Sequence, residues 1–244
     1  MGLEKFTGPL ADPPPWLSRA SEQTHWQQPD INADRFFAHC VDVLLGLGVP
    51  VLGACDIVAN VISEVGWGLS IAFWNLGGVK ATQGWALRYK SRTGRDAPWW
   101  RTHGNVGTGD GQTVFYRAYN SLEDFLDEWL RTFVPKPGTV SDGWLYKRCG
   151  ELFWSGSADW FAEMVHDGYK GPVTAAHPQQ AIKDHASLVG TVRRVWAQSK
   201  LGVDVDGNWG TKSITACVEF QKAHALPQTG MPDDATLGTL AHGR

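Results

Sequence analysis

The sequence predicts a mainly α-helical fold with one small β-bearing stretch and a compact tail. Three observations carry that expectation. Apolar residues recur at three- and four-residue spacing between positions 36 and 47, 51 and 65, 121 and 133, and 154 and 165. Only Thr113–Tyr119 reads as a strand, beside the Gly-rich run Asn105–Gly111. Near residues 175–186 the tryptophan density falls and a different, compact pattern begins, running from Gly202 to Leu240.

Residues 1–30 are polar, carry Asp12-Pro13-Pro14-Pro15, and read as an extended lead-in. Asn32 is placed to cap a first helix with Phe36, Phe37, Cys40, Val43, Leu44 and Leu47 on its apolar side. Gly46, Gly48 and Pro50 make the turn into a second helix, Val51 to Val65, which Gly66 ends. The stretch from Cys40 to Ile62 is apolar enough to suggest a membrane span. Asp42, Asp56, Asn60 and the Gly48-Val49-Pro50 break argue instead for two buried helices. After the Gly-, Arg- and Thr-rich segment 80–120, Ser121 and Asp124 open a helix carrying Phe125, Leu126, Trp129, Leu130 and Phe133, and Pro135 and Pro137 stop it. A helical region over 154–165 ends at Gly168-Tyr169-Lys170-Gly171-Pro172, and the joint that follows contains Pro178. The expected division is a lead-in over 1–30, a main domain over 31–177 and a tail domain over 178–244, the last close to the lower size for independent folding.

A net charge of -3 gives no reason to expect nucleic acid as a partner, and neither a stable membrane association nor an oligomer is indicated, so a monomer is expected. The four cysteines have no metal spacing; Cys40 and Cys55 read as small hydrophobes. No metal and no cofactor are expected, because HExxH and phosphate-loop patterns are missing. The unusual count is 13 Trp, eleven of them between Trp16 and Trp160. Indoles stack on the flat faces of sugar rings, so some of these could line a carbohydrate groove while others fill a core.

Glu64 closes the most apolar stretch of the chain, three and seven residues after Val61 and Ile57. Apolar neighbours and the negative end of a helix both disfavour a charged carboxylate, which suits a general acid. The alternative is a boundary glutamate reaching water past the helix end.

The run Glu64-Val65-Gly66-Trp67-Gly68-Leu69-Ser70, then Asn75-Leu76-Gly77-Gly78-Val79-Lys80-Ala81, then Phe115-Tyr116-Arg117-Ala118-Tyr119-Asn120-Ser121, resembles the glucosaminidase family of peptidoglycan hydrolases, glycoside hydrolase family 73. The resemblance implies a lysozyme-like, mostly helical fold with a small β-hairpin lobe. It also implies cleavage of the β-1,4 bond after N-acetylglucosamine in bacterial cell-wall glycan. Glu64 takes the general-acid role, with Trp67, Trp74, Asn75 and Tyr119 as substrate contacts. The family's second carboxylate has no direct match: Asp110 could swing toward the cleft or merely satisfy its own turn, and His103 could act as base or be a solvated loop histidine. Tyr169 is retained from the family's G-Y-A-T-D segment although its Asp is lost. A missing second acid would fit assistance by the substrate's own acetamido group.

The tail, Val205-Asp206-Gly207-Asn208-Trp209-Gly210-Thr211-Lys212-Ser213, with Ala216-Cys217-Val218-Glu219-Phe220-Gln221, Leu226–Gly230 and Asp233–Leu237, resembles a peptidoglycan-binding domain, a small three-helix module that holds an enzyme on the wall. Asp206-Gly207 makes a tight turn, and Cys217 and Phe220 share a helix face. Asp206 and Trp209 are the candidate wall contacts, Trp209 being equally suited to the core. Peptidoglycan strands are the expected partner. With no signal peptide read at the start, synthesis in the cytoplasm and action on the wall after lysis or dedicated export is expected, as in a phage-type endolysin. The alternatives are a muramidase or lytic transglycosylase on the same fold, or an inactive wall-binding structural protein.

Overall fold

The computed structural model describes residues 26–27, 33–65, 71–72, 74–102, 114–119, 121–139, 146–167 and 177–243. Its elements in chain order are β1 (Trp26–Gln27), α1 (Ala33–Gly46), α2 (Val51–Val65), β2 (Ile71–Ala72), α3 (Gln83–Thr93), β3 (Trp99–Thr102) and β4 (Val114–Arg117). They continue as α4 (Leu122–Phe133), α5 (Lys147–Trp154), α6 (Trp160–His166), α7 (Pro178–Leu201), α8 (Thr211–Ala223) and α9 (Asp234–His242). The fold is mainly α, as the periodicity predicts. Two compact units are formed: Met1–Gln27 with Ser70–Ser121, and Gln28–Leu69 with Leu122–Arg244.

The second unit holds most of the helices. α1 turns its Phe36, Phe37, Cys40, Val41 and Leu44 inward at three- and four-residue spacing. It ends as the glycines predict. Gly48 takes φ 81°, its N–H reaches Leu45 O at 3.0 Å, and Val49 N–H reaches Leu44 O at 3.0 Å, so the last carbonyls of the helix are satisfied. Pro50 then opens α2, its carbonyl accepting from Ala54 N–H.

α2 is the central helix of this unit. Ala54, Cys55, Ile57, Val58, Ala59 and Asn60 are all fully buried, so burial extends round the helix rather than along one stripe. That explains the membrane-like hydropathy of 40–62. Among the described residues no helix is long and apolar enough to cross a membrane. Gly53 lets α5 approach: a Cβ there would stand 2.7 Å from the Phe153 ring. Phe153 packs edge-on to Trp160, and Phe161 stacks on His185 at 3.8 Å.

α7 packs across both α1 and α2. Pro178, expected in a linker, is instead its first residue, where a missing N–H costs nothing, and Gly202 caps its far end at φ 70°. The polar interruptions of α1 and α2 are the seats for this helix. Asp42 accepts from the buried Trp196 Nε1 at 3.0 Å and from Lys200 Nζ at 2.7 Å. His185 Nε2 lies 3.1 Å from the Asp56 carbonyl oxygen. The Asp56 carboxyl is pushed up from 3.8 to about 6, chiefly by burial; Arg193 and a hydrogen bond from Trp160 pull it down, and Asp234 opposes them.

That shift has a definite sign. The folded protein holds the Asp56 proton more tightly than the unfolded chain, so this group favours folding below 3.8 and loses its contribution as pH rises through about 6. Asp56→Asn is expected to flatten the stability profile across that window and to stabilise the protein at neutral pH by roughly 1–2 kcal/mol. Thermal melts of both proteins across this pH range measure it. Arg193 keeps a partner in the variant, since its Nη1 lies 3.1 Å from Asp234.

The first unit is smaller. β1 pairs antiparallel with β2, and β3 with β4 from Trp99↔Arg117 to Thr102↔Val114. Thr82 caps α3 by accepting from Trp85 N–H, and Gly94 ends it at φ 70°. Trp85 is fully buried here, as are Trp129, Trp160 and Trp196 in the other unit. For these four, the core reading of the tryptophan enrichment holds and the groove reading does not. All four cysteines are free and buried, and burial pushes the Cys55 thiol up to about 12.

Candidate functional site

Glu64 lies on the last turn of α2 and is exposed, one turn beyond the buried Asn60 and Val61. The apolar enclosure expected from the sequence therefore ends one turn early, and the glutamate stands where the helix leaves the core. Ser63 Oγ beside it donates to Asn60 O at 2.6 Å, a local bond within this final turn. Trp67, His103, Asp110 and Tyr169, with Asn32 and Gly66, lie outside the described residues.

The other two family-like blocks meet within the first unit. Asn75, expected to contact substrate, is buried and fully engaged by backbone. Its Nδ2 donates to Val79 O and Arg117 O, both at 2.9 Å, while its Oδ1 accepts from Val79 N–H at 2.9 Å. Arg117 N–H donates to Val79 O at 3.0 Å, and Lys80 bridges to Tyr116. Asn75 is thus a brace joining the 75–80 turn to β4, with both amide hydrogens used. Tyr119, two residues after Arg117, is buried as well, 8% exposed. The buried Arg117 guanidinium lies over the Trp85 ring at 4.9 Å and donates to Lys80 O. Trp74 differs: it is half-buried with φ 57°.

In the tail, two buried glutamines organise the loops. Gln198 of α7 donates to Asp206 Oδ1, Asn208 O and Ser213 Oγ, and accepts from the Asp206 and Gly207 N–H groups. Asp206 also accepts from Asn208 N–H at 2.9 Å, and Gly207 takes φ 71°, so the expected tight turn is present. Those bonds, led by Asn208, hold the Asp206 carboxyl below its ordinary value. Its carboxylate works in the turn. Trp209 is half-buried, its Nε1 donating to Gly230 O at 2.8 Å.

Gln221 performs the same task at the other end. It donates to Thr229 Oγ1, Met231 O and Thr236 Oγ1, and accepts from Gly230 N–H. Asp233 caps α9 through Thr236, whose bonds hold its carboxyl below the ordinary carboxylate pKa, with Thr229 adding a further bond. The buried face of α8 is Ser213, Cys217 and Gln221, while the expected Phe220 is half-exposed and stacks on His224 at 4.1 Å. Gln198 and Gln221 were not singled out by the sequence reading; the signal was the four-residue spacing of Gln221 from Cys217. Gln221→Leu would leave buried donors and acceptors in the 229–236 loop without partners. A loss of about 2–4 kcal/mol is expected, measured by chemical denaturation.

Among the described residues no group of three or more His, Cys, Asp or Glu is arranged to hold a metal. Residues 196–240, the last turns of α7 with α8 and α9, match the family model of a peptidoglycan binding domain. No curated protein and no solved structure matches the chain. The match supports peptidoglycan as a binding partner and suggests a cell-wall-associated protein.

Proposed function

We propose that this protein is a cell-wall hydrolase of the endolysin type, cleaving the β-1,4 glycosidic bond after N-acetylglucosamine in peptidoglycan. The observation that carries the reading is the coupling of two elements within one unit. The helix that opens the wall-binding segment, α7, packs on α2, whose last turn exposes Glu64. A carboxyl at the surface is reachable by an insoluble polymer that cannot enter a closed pocket. Glu64 donates a proton to the leaving glycosidic oxygen, and binding through 196–240 raises the local concentration of glycan around it. The choice of bond is supported by the resemblance of the Glu64, Asn75 and Tyr119 blocks to glucosaminidases. With no second acid assigned, the substrate acetamido group assists departure of the leaving group, and Asp110, His103 or Tyr169 supports water or acetamide.

Digestion of purified sacculi followed by mass spectrometry of the soluble muropeptides tests this reading. Reducing-end N-acetylglucosamine is expected. Reducing-end muramic acid would reassign the bond to a muramidase, and anhydromuramic acid to a lytic transglycosylase. Tight wall binding with no soluble product would make the chain a wall-binding structural protein.

A further inference from the structure

Trp74 is one of two non-glycine residues with positive φ among the described residues, at 57°; Ala225 is the other. The left-handed region is unfavourable for a side chain with a Cβ, and a bulky aromatic gains no local hydrogen bond there in return. The strain persists because the chain on its C-terminal side is over-determined. Leu76 N–H donates to Trp74 O at 3.1 Å, Leu76 is fully buried, and Asn75 fixes the next turn through its three side-chain bonds to Val79 and Arg117. Yet the side chain held in this way is not core. Trp74 is half-buried, and among the described residues its indole has no hydrogen-bond or ring partner. A strained, rigidly braced, partly open indole is the arrangement expected of a ligand contact rather than of packing.

We propose that Trp74 is a stacking platform for an N-acetylhexosamine ring of β-1,4-linked glycan, and that Asn75 is its positioning residue. The assignment rests on the glycan-hydrolase reading above and deepens it. The indole face covers the C–H face of the pyranose, and its N–H is free to donate to the acetamido carbonyl. The brace removes the flexibility that would otherwise be lost on binding.

The test is calorimetric titration of a soluble β-1,4 oligomer of N-acetylglucosamine into the full chain carrying Glu64→Gln, so that the probe stays intact. Adding Trp74→Gly is expected to weaken binding about tenfold. Glycine relieves the left-handed backbone while the partly buried indole is lost, so affinities are compared at a temperature well below the Tm of both proteins. Trp74→Phe should stay within about threefold of the parent. Asn75→Asp retains the acceptor for Val79 N–H and loses both donated bonds; it should weaken binding too, and add little to Trp74→Gly. If sacculi yield no product while Trp74-dependent binding of the oligomer persists, the hydrolase reading fails and the platform stands. Failure of the parent to bind the oligomer, or unchanged affinity in Trp74→Gly, would overturn the proposal.

Discussion

Glu64→Gln is expected to lower the lysis of purified cell walls by about 10²–10⁴-fold, the range over which a positioned acid contributes to catalysis. Wall binding in a pelleting assay should be unchanged, because Glu64 is not among the residues matched to the wall-binding family, 196–240. The variant isolates chemistry from folding. Glu64 is exposed on the last turn of α2, where an amide of the same shape keeps the side chain's volume. An unchanged melting curve for the variant separates lost lysis from unfolding. Undiminished lysis would remove Glu64 from the mechanism.

The local rhythm of the helices was legible in the sequence because periodicity reports which face is buried. Phe36, Phe37, Cys40 and Leu44 are buried at the expected spacing, and Gly48 closes α1 as a helix-ending glycine should. What periodicity cannot report is the partner. Asp42 and Asp56 interrupt the apolar run visibly in the sequence, but nothing local reveals that their partners come from α7, as Trp196 does for Asp42, 154 residues later. The same limit applies at the site. An asparagine in a motif has one inventory of donors and acceptors whether it grips a substrate or its own backbone. Asn75 grips Val79 and Arg117. Glu64 shares a stripe with Ile57 and Val61, and the pattern does not tell at which turn the stripe leaves the core. Gln221 was hidden for the opposite reason. Glutamine is normally a surface residue, and only the loop folded over it makes its burial favourable.

Ending the chain at residue 177 is expected to abolish the solubility of the remainder, not merely its affinity for walls. A tethered anchor can be removed without harm to the body it serves, and a division at 178, drawn where the tryptophan density falls and a new pattern begins, suggests such a tether. The packing argues otherwise. Removing 178–244 strips α7 from α1 and α2, and with it the buried Val189, Val192, Val195 and Trp196. Burial of such side chains contributes about 1.5–3 kcal/mol each, so their combined loss rivals the 5–15 kcal/mol that holds an ordinary domain together. Asp42 would also lose Trp196 and Lys200. The apolar faces left bare on α1 and α2 favour association between copies. Expression of 1–177 is therefore expected to yield aggregate, while the full chain, even with Trp209→Ala, stays soluble. A soluble, monomeric 1–177 with native helicity that still lyses walls would show that α7 is a tether after all. Aggregation would mean that the wall-binding segment and the helix carrying Glu64 share one core, so that evolution of either constrains the other.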